Sequence, residues 1–127
     1  MAQPWKGPRE QIRFEVPVEL RSQLQAMAAE QGVFVTDLVS DMVEQALQRT
    51  DLVAKIRPLS PPNKGPDTGL LKFRLQDVVM LELKVKAAEH GARAVTEIAY
   101  PLIGAALGRA DLVAAMNRRP EELPLAI

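Results

Sequence analysis

The sequence predicts a mainly α-helical fold that carries a two-stranded antiparallel β-ribbon, assembled from two copies of one unit as an intramolecular pseudo-dimer. Three observations predict it. RTDLVAKI at Arg49–Ile56 returns as RADLVAAM at Arg109–Met116. Two stretches, QIRFEVP and LLKFRLQ, alternate apolar with polar residues, and each precedes a run of apolar residues at helical spacing. Between the halves lies PLSPPNKGPDTG, Pro58–Gly69, whose four prolines and two glycines argue against a helix or strand and mark a linker.

The repeat extends well beyond the repeated phrase. At an offset of 59, Phe14 falls on Phe73, Val16 on Leu75 and Leu24 on Leu83, and AAEQG at Ala28–Gly32 falls on AAEHG at Ala87–Gly91. One inserted residue moves the offset to 60, and Val35-Thr36 then meets Val95-Thr96, Ala46-Leu47 meets Ala106-Leu107, and Asp51–Ala54 meets Asp111–Ala114. The matches fall on apolar positions and helix ends, where a shared fold places them.

In the first copy, Ile12, Phe14 and Val16 alternate with Gln11, Arg13 and Glu15, the period of a half-buried strand. Pro17 ends it and suits the start of a helix. Leu20, Leu24, Met27 and Ala28 form the apolar stripe of a first helix from Val18 to Gln31, and Gly32 is suited to the left-handed residue that closes it. Thr36 is a plausible N-cap for a second helix, with Asp37 in its first turn and an apolar face of Leu38, Val39, Met42, Val43, Ala46 and Leu47. A short turn or helix covers Asp51–Ile56.

The second copy repeats the plan. Leu71, Phe73 and Leu75 point inward, and Lys72 and Arg74 outward. Asp77 is placed to cap a first helix bearing Val79, Leu83 and Ala87, which Gly91 ends. Thr96 opens the second helix, and Pro101 predicts either a kink or a later start because it removes an intrahelical bond. A lone strand leaves its backbone groups unpaired, and one strand with two helices has too little core. Two units remedy both defects: the strands pair antiparallel and four helices pack beneath the ribbon.

Composition narrows the function. Lys plus Arg and Asp plus Glu both number 16, so bulk charge offers no support for nucleic-acid binding, although it leaves room for a local basic patch. The absence of cysteine removes disulfides and thiolate metal sites. Aromatic residues at 4% make base-stacking platforms for single strands unpromising. No stretch approaches the ~18 apolar residues of a membrane span, and the N-terminus lacks a signal-peptide pattern. The expectation is a soluble, intracellular protein. No carboxylate pair, nucleophile–base set or metal cluster stands at credible spacing, so neither an enzyme nor a cofactor or metal is expected. His90, the one histidine, sits at a helix C-terminus where a cation complements the dipole.

Strand, helix, glycine turn and helix in about 45 residues, written as IRFEVPVELRSQLQAMAAEQG with VTDLVSDMVEQAL, and as LKFRLQD with AAEHG and VTEIAYPLIGAAL, resembles the ribbon-helix-helix family of MetJ/Arc/CopG-type repressors. The resemblance divides the composite domain, residues 1–127, into ribbon-helix-helix copy 1 at 10–57, the linker at 58–69, copy 2 at 70–116 and a C-terminal tail at 117–127. Family members are usually homodimers, whereas this chain looks like a single-chain pseudo-dimer. Similar tandem copies occur among conjugative-plasmid relaxosome accessory proteins. In the family, outward ribbon residues enter the DNA major groove, and the start of the second helix docks a phosphate.

That resemblance implies a sequence-specific double-stranded DNA-binding protein, acting as a transcriptional repressor or as an accessory factor in plasmid partition or conjugation. It implies a cytoplasmic location, on the bacterial nucleoid or a plasmid. Gln11, Arg13, Glu15, Lys72 and Arg74 take the base-contacting ribbon positions, with Leu70 at the outer end. Arg and Lys donate to guanine, Gln pairs with adenine, and Glu15 can accept from cytosine N4, or instead pair with an Arg across the ribbon or weaken non-specific binding. The outward sets differ, which predicts unequal half-sites. Where the family places a small polar cap two residues after the turn glycine, this chain has Phe34 and Arg93, so the phosphate-contacting positions become Thr36, Thr96 and Arg93. The Arg49/Asp51 and Arg109/Asp111 pairs serve either helix ends or self-association of pseudo-dimers on adjacent sites. Trp5 is a packing anchor or part of an arm along DNA, and the tail a loose terminus or a partner-binding segment. The rival reading is a protein-interaction module of the same fold, antitoxin-like or an assembly partner.

Overall fold

The computed structural model of the protein describes residues 9–116; Trp5 and the 117–127 tail lie outside them. The chain runs β1 (Arg9–Pro17), α1 (Val18–Gln31), α2 (Val35–Leu47), α3 (Thr50–Lys55), β2 (Thr68–Gln76), α4 (Asp77–Glu89), α5 (Thr96–Leu107) and α6 (Ala110–Met116). It is mainly helical with a two-stranded antiparallel sheet. The order strand, helix, helix, short helix occurs twice.

β1 and β2 pair with Arg13 opposite Lys72, Gln11 opposite Arg74, and Glu15 opposite Leu70. Alternation delivers the expected inner face: Ile12, Phe14, Val16, Leu71, Phe73 and Leu75 are all buried. Phe14 meets Phe73 edge to face at 6.1 Å and Tyr100 at 5.9 Å, an arrangement that adds to the burial of the three rings. Beneath them, Leu20 and Leu24 of α1, Val39 and Val43 of α2, Leu83 of α4, and Ile98 and Leu102 of α5 complete a single core, which among the described residues takes in no polar group of a side chain but the Tyr100 hydroxyl. α2 and α5 pack on each other, and each also touches the strand of the other half.

The turn after the first helix of each half requires glycine. Gly32 sits at φ 71° and Gly91 at φ 77°. The next amides, Val33 and Ala92, donate back to the carbonyls of Ala28 and Ala87 at 3.0 and 2.8 Å. That 6→1 bond is the helix-closing geometry that a left-handed residue permits.

Several expectations need correction. Thr36 is not the N-cap of α2: Phe34 holds that position in extended geometry, and no side chain caps the helix. Val35 packs against the core and starts the helix two residues before the Asp37 that a Thr36 cap implies. Asp77 likewise begins α4 instead of capping it, so its carboxylate acts on the dipole from within the first turn. Strand β2 takes the last two linker residues, because Gly69 and Thr68 pair with Val16 and Pro17. Pro101 lies inside α5, which nevertheless starts at Thr96. The Glu97 carbonyl, which the missing Pro101 N–H leaves free, accepts the backbone N–H of Leu59 at 2.9 Å. The connecting segment thus supplies the bond the proline removes.

Candidate nucleic-acid interface

The face of the ribbon remote from the core carries Gln11, Arg13, Lys72 and Arg74, all exposed, and Glu15, half-buried. Strand alternation puts them there, and the register decides which lie together. Arg13 and Lys72, counterparts at the repeat offset, face each other at the middle of the ribbon. Toward one end Gln11 faces Arg74; toward the other Glu15 faces Leu70. No internal hydrogen bond or ion pair within the described residues engages the Arg13, Lys72 or Arg74 side chains.

Glu15 is not paired with an arginine, as the cross-ribbon alternative expected. It accepts a hydrogen bond from the Thr68 hydroxyl at 2.7 Å. Thr68 in turn accepts the Gly65 N–H at 2.9 Å. Sequence reading missed Thr68 because it falls in the proline-rich stretch, and only the strand register brings it to Pro17 and beside Glu15.

The two second-helix starts are unlike one another. At α2, a cleft beside β2 is lined by Gln11, Thr36, Asp37, Ser40, Lys72 and Arg74. Ser40 Oγ donates to the Arg74 carbonyl at 2.6 Å, pinning α2 to the ribbon's edge. Asp37, Asp41 and Glu44 of α2 line the clefts that Arg74 also lines. At α5, Glu97 turns back and accepts the Arg93 backbone N–H at 2.9 Å, while Ser60 donates to its other oxygen at 3.1 Å. The Arg93 N–H, with Ser60 and the Arg93 guanidinium, holds the Glu97 carboxyl below the usual carboxylate range against the opposing effect of desolvation. Thr96 opens this helix, and Arg93 is exposed with its guanidinium 3.8 Å from Glu97. An internal carboxylate therefore already occupies the position where the dipole of α5 favours an anion.

Opposite the ribbon's cationic middle, the other end is tied down from below. Arg21 Nε donates to the Leu70 carbonyl at 2.9 Å, and its Cδ would lie 2.8 Å from a Cβ at Gly69, so glycine there leaves room for the side chain. The repeated Arg-x-Asp phrase diverges in role. Arg49 and Asp51 form one exposed pair at 3.7 Å. Arg109 binds Asp111 through two contacts of 3.1 Å and reaches Gln23 at 3.2 Å and Glu19 at 3.7 Å, fastening the start of α6 to α1.

Among the described residues there is no group of three or more His, Cys, Asp or Glu placed to hold a metal ion, and no helix is long and apolar enough to cross a membrane. His90 follows the last turn of α4, half-buried. Compared with known proteins, the chain matches no family model, no curated protein and no solved structure.

Proposed function

We propose that this chain is a tandem ribbon-helix-helix protein, an intramolecular pseudo-dimer that reads double-stranded DNA sequence-specifically through its ribbon in the major groove. It acts as a transcriptional repressor, or as an accessory factor in plasmid partition or conjugation, without chemistry of its own. The observation that carries the reading is the ribbon's outer face: Arg13 against Lys72 and Gln11 against Arg74, exposed together on a two-stranded sheet. Arginine, lysine and glutamine are the side chains that pair with purine edges in the major groove, and a two-stranded ribbon fits that groove. An uncovered ribbon is a liability unless it has a use. The pseudo-dimer reading is supported by the register, in which Arg13 and Lys72, counterparts at the repeat offset, face each other.

A phosphate contact falls at the start of α2, through Thr36; at the start of α5, beside Thr96 and Arg93, the Glu97 carboxylate already takes that place. The acids beside Arg74 and the zero net charge keep sequence-independent attraction low, so binding rests on base contacts more than on counterion release. The test is selection of sites from a random double-stranded DNA library at about 0.15 M salt. The expected result is an enriched short motif with two unequal halves. No enrichment by folded protein sinks the reading.

A second reading, a protein-interaction module of the same fold, is favoured by one specific observation. α4 exposes Val78, Leu81 and Val85, which recur at spacings of three and four on one helix face, at 68, 62 and 46% exposure. Their counterparts at the repeat offset are Glu19, Ser22 and Ala26. A partner pull-down that survives nuclease treatment and is lost in a Leu81→Asp variant supports this reading.

A further inference from the structure

The ends of the ribbon carry opposite chemistry. Gln11 and Arg74 offer donors at one end, whereas the other offers a carboxylate, Glu15, across from an apolar Leu70. That carboxylate is held in place. The Gly65 N–H donates to Thr68 Oγ1 at 2.9 Å, and the Thr68 hydroxyl donates to Glu15 Oε1 at 2.7 Å. Thr68 has a single proton, and the shorter of its two acceptors, Glu15 over the Gly65 carbonyl at 3.1 Å, takes it. Gly65 belongs to the connecting segment, which is anchored where Val18 N–H meets the Asp67 carbonyl at 2.9 Å. No hydrogen bond or ion pair within the described residues engages the second carboxylate oxygen, Oε2.

We infer that Glu15 is a specificity-determining residue that selects a base with an exposed amino group, cytosine through N4 or adenine through N6, at one end of the DNA site, and that Thr68 is the positioning residue that aims it. The inference rests on the DNA-binding reading above. A carboxylate only accepts hydrogen bonds. In the major groove, cytosine N4 and adenine N6 present donors, while the guanine edge presents acceptors that repel it. An exposed, freely rotating glutamate beside phosphates loses more by repulsion than it gains by contact. One fixed by two successive hydrogen bonds meets the base edge without further ordering cost, which is the advantage of a preorganised group. The same charge weakens binding to every sequence, so Glu15 trades affinity for discrimination. Its counterpart in the other half is Arg74, and the site therefore has a direction: a purine-reading end at Gln11 and Arg74, and an amino-reading end at Glu15.

The test is site selection with the full chain and three variants, Glu15→Gln, Thr68→Val and Thr68→Ser, with thermal melting of each to show that it is folded. The wild type should enrich cytosine or adenine at one terminal position by about tenfold, the scale of one good base contact. Glu15→Gln should bind all DNA more tightly and remove cytosine from that position, leaving at most the adenine that glutamine itself pairs with. Thr68→Val should flatten the same position while the preference read by Gln11 and Arg74 stays, and Thr68→Ser, which keeps the hydroxyl, should restore it. A wild-type motif that is directional but indifferent at that end overturns the role of Glu15 and leaves DNA binding standing. Unchanged preference in Thr68→Val overturns the positioning role. No enrichment by any folded variant, wild type included, overturns this inference together with the DNA-binding reading.

Discussion

Replacing Arg13 and Arg74 together by alanine should abolish sequence-specific binding and leave the fold intact. Both side chains are exposed, and no internal bond within the described residues engages either of them. The hydrogen bond from Ser40 is to the backbone carbonyl of Arg74 and survives the change. Stability should therefore move by no more than about 0.5 kcal/mol, the range for surface substitutions, and the melting temperature by no more than about 3 °C. Each well-formed base pairing is worth about 1–3 kcal/mol. Losing two removes about 2–6 kcal/mol, or roughly 30-fold to 10⁴-fold in Kd. Fluorescence anisotropy on the selected site and on a scrambled site measures it, repeated across salt concentrations. If the two residues read bases, the slope of log K against log salt changes little; if they hold phosphates, it falls by about 0.9 for each. Unchanged affinity in a folded double variant refutes the ribbon assignment. A large drop in melting temperature refutes the claim that these side chains take no part in the fold.

Three further outcomes are expected. In Gly104→Ala the new Cβ collides with Val113 Cγ2 and lies 3.3 Å from Val113 Cβ; overpacking against this buried valine costs about 1–3 kcal/mol. Better helix propensity returns up to about 1 kcal/mol, so urea denaturation should show net destabilisation, and a stabilised variant contradicts the close α5–α6 approach. Burial pushes the Tyr100 hydroxyl up to about 12 from 10.0. Its raised value favours the neutral form, so this contribution to stability is complete below pH 10.0 and fades as pH rises toward 12. Tyr100 is the one tyrosine of the chain, and absorbance at its phenolate band should show no ionisation near pH 10.0 while the protein stays folded. The Glu97 carboxyl is depressed, so the stability it provides is complete above its ordinary 4.5 and is lost as pH falls below that value. Acid titration of stability should lose this component in Glu97→Gln, and an unchanged acid limb argues against the Arg93 and Ser60 contacts.

Much of the fold was legible in the residues because the signals are local. Ile12, Phe14 and Val16, with Leu71, Phe73 and Leu75, alternate at the period of a strand, and all six are buried. Gly32 and Gly91 stand where helices end, and both adopt the left-handed conformation. Thr36 and Asp77 misled because cap preference is weak beside packing: Val35 docks on the core and pulls α2 back two residues, and α4 begins directly at the strand's end. For the candidate site, the outward position of Arg13, Lys72 and Arg74 followed from alternation, but the partner of Glu15 did not. Thr68 lies 53 positions away, in a stretch whose prolines signal irregular chain.

By itself, then, the sequence determined the repeated order of strand and helices, the buried faces, the pairing partners and the set of side chains presented outward. These are properties of period two, period 3.6 and turn chemistry, each readable within a few residues. Only the tertiary structure decided the register that sets Arg13 on Lys72 and Glu15 on Leu70, and the Leu59 amide that repairs the gap left by Pro101. It also decided the divergence of two near-identical phrases, one forming the exposed Arg49–Asp51 pair and the other fastening Arg109 to α1. Those outcomes depend on which distant surfaces meet when the chain closes, and residue pairs 38 to 90 positions apart leave no local pattern from which their meeting can be read.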